Sequence, residues 1–237
     1  MIKNVLFDLD DTLFDFQKAE RIALSKTLED LGIEPTEHVL ERYHVLNQAP
    51  WKRLELGELT LEQVKTTRYR LLFEELGMEI SPEDATGRYE NYLGMGHYYI
   101  EGAPRLLEEL RGKYRLYLVS NGTSAVQRSR IKSAGIERCF EEIFISQEIG
   151  HKKPDREFFE YCFDHAPEMK PEETVIVGDS LSSDILGGKN AGIATIWFAP
   201  QGSHCDEAED GCFAGAPARP DYVIRRLSQL PELLERI

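Results

Sequence analysis

The chain has 237 residues, enough for one large domain or for a core domain carrying an inserted one. Its 42 acidic and 28 basic residues leave a formal net charge of −14. Such a surface repels nucleic-acid polymers and anionic membranes, but admits a small anionic substrate if the site is locally positive. Hydrophobic residues make up 41%, so a packed core is attainable, and no run approaches the roughly 20 apolar residues of a membrane span.

The opening residues run directly into a strand pattern without a leader-like stretch, so a cytoplasmic protein with no signal peptide is expected. Cys139, Cys162, Cys205 and Cys212 show no paired short spacing and are expected to be free thiols.

Asn4 to Leu9 predicts a buried strand that runs into the acids Asp8, Asp10 and Asp11. If extended geometry persists past Leu9, Asp8 and Asp10 share a face and Asp11 points away. From about Asp15 to His97 the texture is helical. One helix pattern carries Ala19, Ile22, Ala23, Lys26 and Leu28 and stops near Gly32; a second follows Thr36 to about Asn47. Thr60-Leu61-Glu62-Gln63 has the form of a capping box, opening a third that closes at Gly77. Ser81-Pro82 starts a fourth. Residues 15–97 therefore read as an all-α insertion between residues 1–14 and 98–237.

Beyond Gly102 the pattern alternates. A helix runs to about Gly112, Leu116–Val119 is a strand ending at Ser120-Asn121-Gly122, and a helix from Ser124 stops at Gly135. Ile143–Ile145 predicts a strand and Asp155–His165 a helix. Val175–Val177 is a strand ending at Gly178-Asp179, followed by a helix from Ser182 to Ala191 and a strand over Ala194–Phe198. Pro200 to Pro220 reads as a long surface loop. Tyr222–Ile224 and Leu227–Leu234 are a last strand and helix. Strands alternating with helices imply an α/β fold with a doubly wound, mainly parallel, Rossmann-like sheet.

Parallel strands put their carboxyl ends on one edge, so the polar residues at four strand ends can converge: Asp8 and Asp10, Ser120 and Asn121, Lys152 and Lys153, Asp179 and Asp184. Two carboxylates about 4 Å apart repel by roughly 4 kcal/mol at an intermediate dielectric, so four of them call for a divalent cation. Oxygen-only ligation completed by water and a phosphate fits Mg2+. The lysine before Pro154, the Ser120 hydroxyl and backbone amides around Asn121 and Gly122 can cradle a phosphoryl group. Asp8 can then attack phosphorus, and Asp10 can protonate the leaving oxygen and later deprotonate water. His204, Cys205 and Cys212 form an incomplete set for zinc.

DLDDT at Asp8–Thr12, VSN at Val119–Asn121, KKPD at Lys152–Asp155 and GDSLSSD at Gly178–Asp184 resemble the four motifs of the haloacid dehalogenase (HAD) superfamily, in its order and spacing. The helical insertion resembles the cap of that family's subfamily I. The resemblance implies Asp8 as nucleophile and metal ligand, and Asp10 as acid/base with its backbone carbonyl on the metal. It implies Thr12 as a brace of the loop, Ser120 on the phosphoryl group, and Lys153 holding phosphate and Asp8 together. Asp179 becomes a metal ligand, and Asp184 supports the metal shell and the lysine. Dehalogenases of the superfamily lack the second aspartate, so Asp10 points to a phosphatase.

Asn47–Trp51, Gly57–Thr60 and the run from Gly178 to Ala199 resemble bacterial HAD-type pyrimidine 5′-nucleotidases. That resemblance implies a nucleoside monophosphate as partner, with Trp51 available to stack on its base or simply to pack between cap helices, and a monomer or homodimer. Phosphatases of sugar or organic-acid phosphates, and β-phosphoglucomutase-like enzymes, share the same core.

Overall fold

The computed structural model describes residues 1–200, 213 and 215–237. His204, Cys205 and Cys212 lie outside the described residues, as does most of the loop from Pro200 to Pro220.

Six strands form one parallel sheet: β1 (Asn4–Phe7), β2 (Arg115–Ser120), β3 (Glu142–Ile145), β4 (Thr174–Gly178), β5 (Ala194–Phe198) and β6 (Tyr222–Ile224), in the order β3-β2-β1-β4-β5-β6. Alternation along each strand feeds two cores. Val5, Phe7, Leu118, Val175 and Val177 pack on one face; Leu6, Tyr117, Val119 and Ile176 pack on the other. Both faces are covered, as a parallel sheet requires. The strand order reverses between β1 and β4, and the crevice beyond their carboxyl ends is where such sheets bind ligands.

Between β1 and α5 (Ala103–Leu110) the chain forms four helices: α1 (Phe16–Asp30), α2 (Glu37–Glu55), α3 (Leu61–Leu76) and α4 (Pro82–Met95). They share a separate apolar cluster that includes Leu24, Leu28, Tyr43, Tyr69, Leu72 and Tyr89. α2, α3 and α4 begin at the residues expected to start them, and α1 begins after Asp15. Asp15, Thr36, Thr60 and Ser81 accept from the backbone three residues on, and Thr60 with Gln63 completes the capping box. The outgoing and returning crossovers lie side by side: Asp15 N donates to Tyr98 O at 2.8 Å and Ile100 N to Leu13 O at 3.0 Å.

The remaining helices are α6 (Ser124–Ala134), a single turn α7 (Ser146–Ile149), α8 (Arg156–His165), α9 (Leu186–Ala191) and α10 (Leu230–Arg236).

Three boundaries differ from the sequence expectation. β1 stops at Phe7, because Leu13 and Phe14 donate back to Leu9 O and close a tight loop over Leu9–Phe14. α2 runs eight residues past Asn47, through Pro50, with side-chain pairs His44–Gln48 and Asn47–Trp51 spanning the bond that proline cannot make. The helix expected from Ser182 divides into a wide π turn over Leu181–Ile185 and then α9.

Because the four-helix cluster has its own core, Leu72→Ala, at a fully buried position, is expected to cost about 2–5 kcal/mol in urea unfolding.

Candidate active site

Asp8 follows β1 directly, its N–H donating to Val177 O of β4 at 3.0 Å, which seats it at the reversal of strand order. Lys153 comes from the turn before α8, and its ammonium is 1% exposed. It donates to Asp8 Oδ1 at 2.6 Å, Asp184 Oδ1 at 2.7 Å and Val119 O at 2.9 Å, so all three protons are engaged. Asn121, at the end of β2, grips the backbone of the same lysine: its Nδ2 donates to Lys153 O at 2.8 Å and its Oδ1 accepts from Lys153 N at 2.9 Å.

Asp184 is set by the π turn. Its Oδ2 accepts from Ser180 N at 3.1 Å, and a Cβ on Gly178 would lie 2.2 Å from that oxygen, so only glycine fits at the end of β4. Asp8, Asp179 and Asp184 each offer a carboxylate oxygen within 4.8 Å of the others.

One ammonium does not balance this much negative charge. Burial pushes the Asp8 carboxyl up to about 7, against the pull of Lys153 and with the help of Asp184 and Asp10. Asp179 is held well above the usual carboxylate range by burial and then by Asp8, Asp184 and Asp11. Burial alone would lower Lys153, but Asp184 and Asp8 outweigh it and keep the amine charged.

Asp10 is oriented by α6, not by the lysine. Arg130 Nη1 donates to its Oδ1 at 2.5 Å and Gln127 Nε2 to its Oδ2 at 2.6 Å. Asp11 departs from the strand-based expectation. Its φ is +56°, its Oδ1 accepts from Phe16 N at 3.0 Å at the start of α1, and it lines the same cavity as Asp8 and Asp10. The left-handed turn replaces the alternation that would have carried it away. Burial, with Asp10 adding to it, lifts its carboxyl to about 6.

Ser120 Oγ, at the end of β2, accepts from Gly122 N at 3.1 Å and Gln127 Nε2 at 2.9 Å. The Gly122 amide is thus engaged with Ser120. Thr12 is fully buried and does not line the cavity, so the structure sets it behind the loop and away from a ligand.

A cavity of about 960 Å³ opens over these groups. Its far side belongs to the helical segment, where Glu20 Oε1 accepts from Asn47 Nδ2 at 2.6 Å and Asn47 Oδ1 accepts from Trp51 Nε1 at 3.1 Å and Arg68 Nη1 at 3.4 Å. His44 Nδ1 lies 3.2 Å from Glu20 Oε2. Trp51 is half-buried and lines the cavity. Sequence reasoning passed over Gln127, Arg130, Glu20 and Arg68. The first two sit three apart on α6, the only signal the sequence offers for a shared helix face.

A parallel sheet with its acids at the strand-order reversal, joined by one buried lysine, is the architecture of a HAD-type hydrolase. The model of the haloacid dehalogenase-like hydrolase family matches residues 5–198, and the chain belongs to that family. YfnB of Bacillus subtilis is 36% identical over 98% of this chain and 95% of its own. The crystal structure of YfnB, bound to magnesium and revealing interdomain movement, superposes with a TM-score of 0.89 over 98% of each chain. The pyrimidine 5′-nucleotidase PynA of Streptococcus pneumoniae is 38% identical over 99% of this chain and 95% of PynA. The pyrimidine 5′-nucleotidase YjjG of Escherichia coli is 30% identical over 97% of this chain and 96% of YjjG.

Lys153→Met removes the cation that two buried carboxylates share. It is expected to destabilise the metal-free protein by about 3–5 kcal/mol in urea unfolding.

Proposed function

We propose that this hydrolase is a magnesium-dependent phosphomonoesterase working through an aspartyl-phosphate on Asp8, with pyrimidine nucleoside 5′-monophosphates as its preferred substrates. The observation that carries it is the Lys153 bridge between Asp8 and Asp184 with the Asp179 carboxylate alongside. That donor set suits magnesium: it is all oxygen, it carries more negative charge than one lysine balances, and the Asp179 carboxylate accepts no hydrogen bond among the described residues, its backbone carbonyl alone accepting from Trp197 Nε1. Asp8, Asp179 and Asp184 would hold the ion, with the Asp10 backbone carbonyl. Bound there, it would neutralise phosphoryl oxygens.

Asp8 attacks phosphorus, and the bond from phosphorus to the ester oxygen breaks as Asp10 gives that oxygen a proton. Asp10 then takes a proton from water, whose oxygen attacks the phosphorus of the aspartyl-phosphate, releasing phosphate and restoring Asp8. Lys153 keeps the Asp8 carboxylate aimed throughout. Ser120 already accepts two hydrogen bonds, which leaves its own O–H to donate to a phosphoryl oxygen. Residues 15–97 serve as a cap over the core of residues 1–14 and 98–237, excluding water while the acyl-phosphate forms. The cavity is large enough for a nucleotide. Trp51, fixed by Asn47, offers a face to the base, and the likeness to PynA and YjjG supports a pyrimidine there.

With magnesium, kcat/KM on UMP and dTMP is expected to exceed that on phosphoglycolate and glucose 1-phosphate; equal values would overturn the nucleotide preference. Asp8→Asn is expected to abolish phosphate release while leaving the circular-dichroism spectrum unchanged, and full activity in that variant would refute the nucleophile. In calorimetry, magnesium at a hundredfold over its Kd is expected to stabilise the wild type by about 2.7 kcal/mol. Asp179→Asn should lose most of that gain.

A further inference from the structure

Arg130 is among the largest side chains that are fully buried. Its guanidinium lies where the two crossovers meet the site. Nη1 reaches Asp10 Oδ1 at 2.5 Å and Gln127 Oε1 at 3.0 Å, while Nε donates to Gly96 O at 2.6 Å. Gly96 ends α4, where the chain leaves the helical segment. The charge lies over the rings of Phe14 and Phe16, on the outgoing crossover, at 5.2 and 6.0 Å. Nη2 is buried and has no hydrogen-bond partner among the described residues.

A guanidinium so placed is a poor way to stabilise a core. Its desolvation is costly, one of its nitrogens is left unsatisfied, and an apolar side chain of similar volume would fill the space without either penalty. What it does provide is direction. Asp10 has both carboxylate oxygens engaged, one by Arg130 and the other by Gln127, and Gln127 is itself held by Ser120 and by Arg130. A Cβ on Gly122 would fall 2.3 Å from Gln127 Nε2, so the amide is also packed tightly against that backbone.

We propose that Arg130, with Gln127, is a positioning residue that aims the Asp10 carboxylate at the leaving oxygen. The inference rests on the phosphatase reading and adds to it the device that orients the acid. Arg130 touches no reacting atom; it acts through Asp10, and Gly96 O anchors it.

Leaving-group chemistry separates this role from mere support. Expulsion of a nucleoside 5′-oxygen needs a proton, whereas p-nitrophenolate leaves without one. Values of kcat/KM, which report the first bond cleavage, are to be measured with magnesium on UMP and p-nitrophenyl phosphate for the wild type, Asp10→Asn, Arg130→Met, Arg130→Lys and Gln127→Leu. The expected result is a fall of at least about tenfold on UMP for Arg130→Met, a fraction of the roughly 100- to 10,000-fold that general acid catalysis supplies, and less than about threefold on p-nitrophenyl phosphate. Asp10→Asn should shift the ratio in the same direction, and Arg130→Lys should recover part of the loss. If Arg130→Met fails to fold, Gln127→Leu carries the same expectation through the other oxygen of Asp10.

Equal losses on both substrates, or an unchanged ratio, would overturn the positioning role while leaving the phosphatase reading intact. A wild type that hydrolyses neither substrate with magnesium would overturn both.

Discussion

The arrangement depends on one buried ammonium. Lys153 has three protons and three acceptors, and each acceptor comes from a different strand end: Asp8 after β1, Val119 within β2 and Asp184 after β4. Two unit charges at hydrogen-bonding distance in a protein interior attract by several kcal/mol, so the lysine draws these strand ends together. It cannot neutralise them all. Burial first, and then the neighbouring carboxylates that the lysine leaves unbalanced, raise the carboxyls of Asp8 and Asp179. A divalent cation beside the lysine would remove the imbalance, and the phosphoryl transfer proposed above, in which charge neutralisation and positioning supply most of the rate, would make use of both.

Around this point the backbone departs from regular geometry at Asp11 and at the π turn, and two glycines leave room for side chains packed against them. Asp11 adopts a left-handed turn that brings its carboxylate back to cap α1. A π turn widens the start of the helix after β4, so that Asp184 can reach both Lys153 and Ser180 N. Gly178 leaves room for the Asp184 carboxylate, and Gly122 leaves room for Gln127. Such irregularities are tolerated because the strands behind them are fully buried on both faces and resist displacement.

What the sequence makes legible follows from this division. An apolar run that stops at a polar residue marks a strand end, and parallel strands share one edge, so Asp8, Ser120, Asp179 and Asp184 can be grouped from the sequence; Lys153, expected at a strand end, instead follows α7, and only its place before Pro154 in the KKPD motif marks it. The caps of α2 to α4 are legible for a similarly local reason. Arg130 is not. On α6 it stands among Gln127, Arg128 and Lys132, a pattern that reads as a solvated face, and its burial arises only when both crossovers close over it. Asp11 escapes sequence reading because strand alternation does not extend into its turn. The passage of α2 through Pro50 depends on side-chain pairs across the break, which periodicity does not register.

The helical segment resolves an apparent contradiction in charge. A chain of net charge −14 with its acids gathered at one point is a poor receptor for a phosphate ester. Yet the cavity walls also carry Lys52, Lys65, Arg68, Arg130, Lys152 and Lys153. Lys65 is tied to Glu62 and Glu90, Lys152 to Asp155, and Arg68 lies among the rings of Tyr43, Tyr69 and Tyr89. These cations are therefore held in place. Field lines in a low-dielectric cleft are set by the nearest fixed charges more than by the distant surface. An anion entering between the helices and the sheet meets these fixed cations alongside Glu20 and Glu90, whose carboxylates are themselves tied to Asn47 and Lys65.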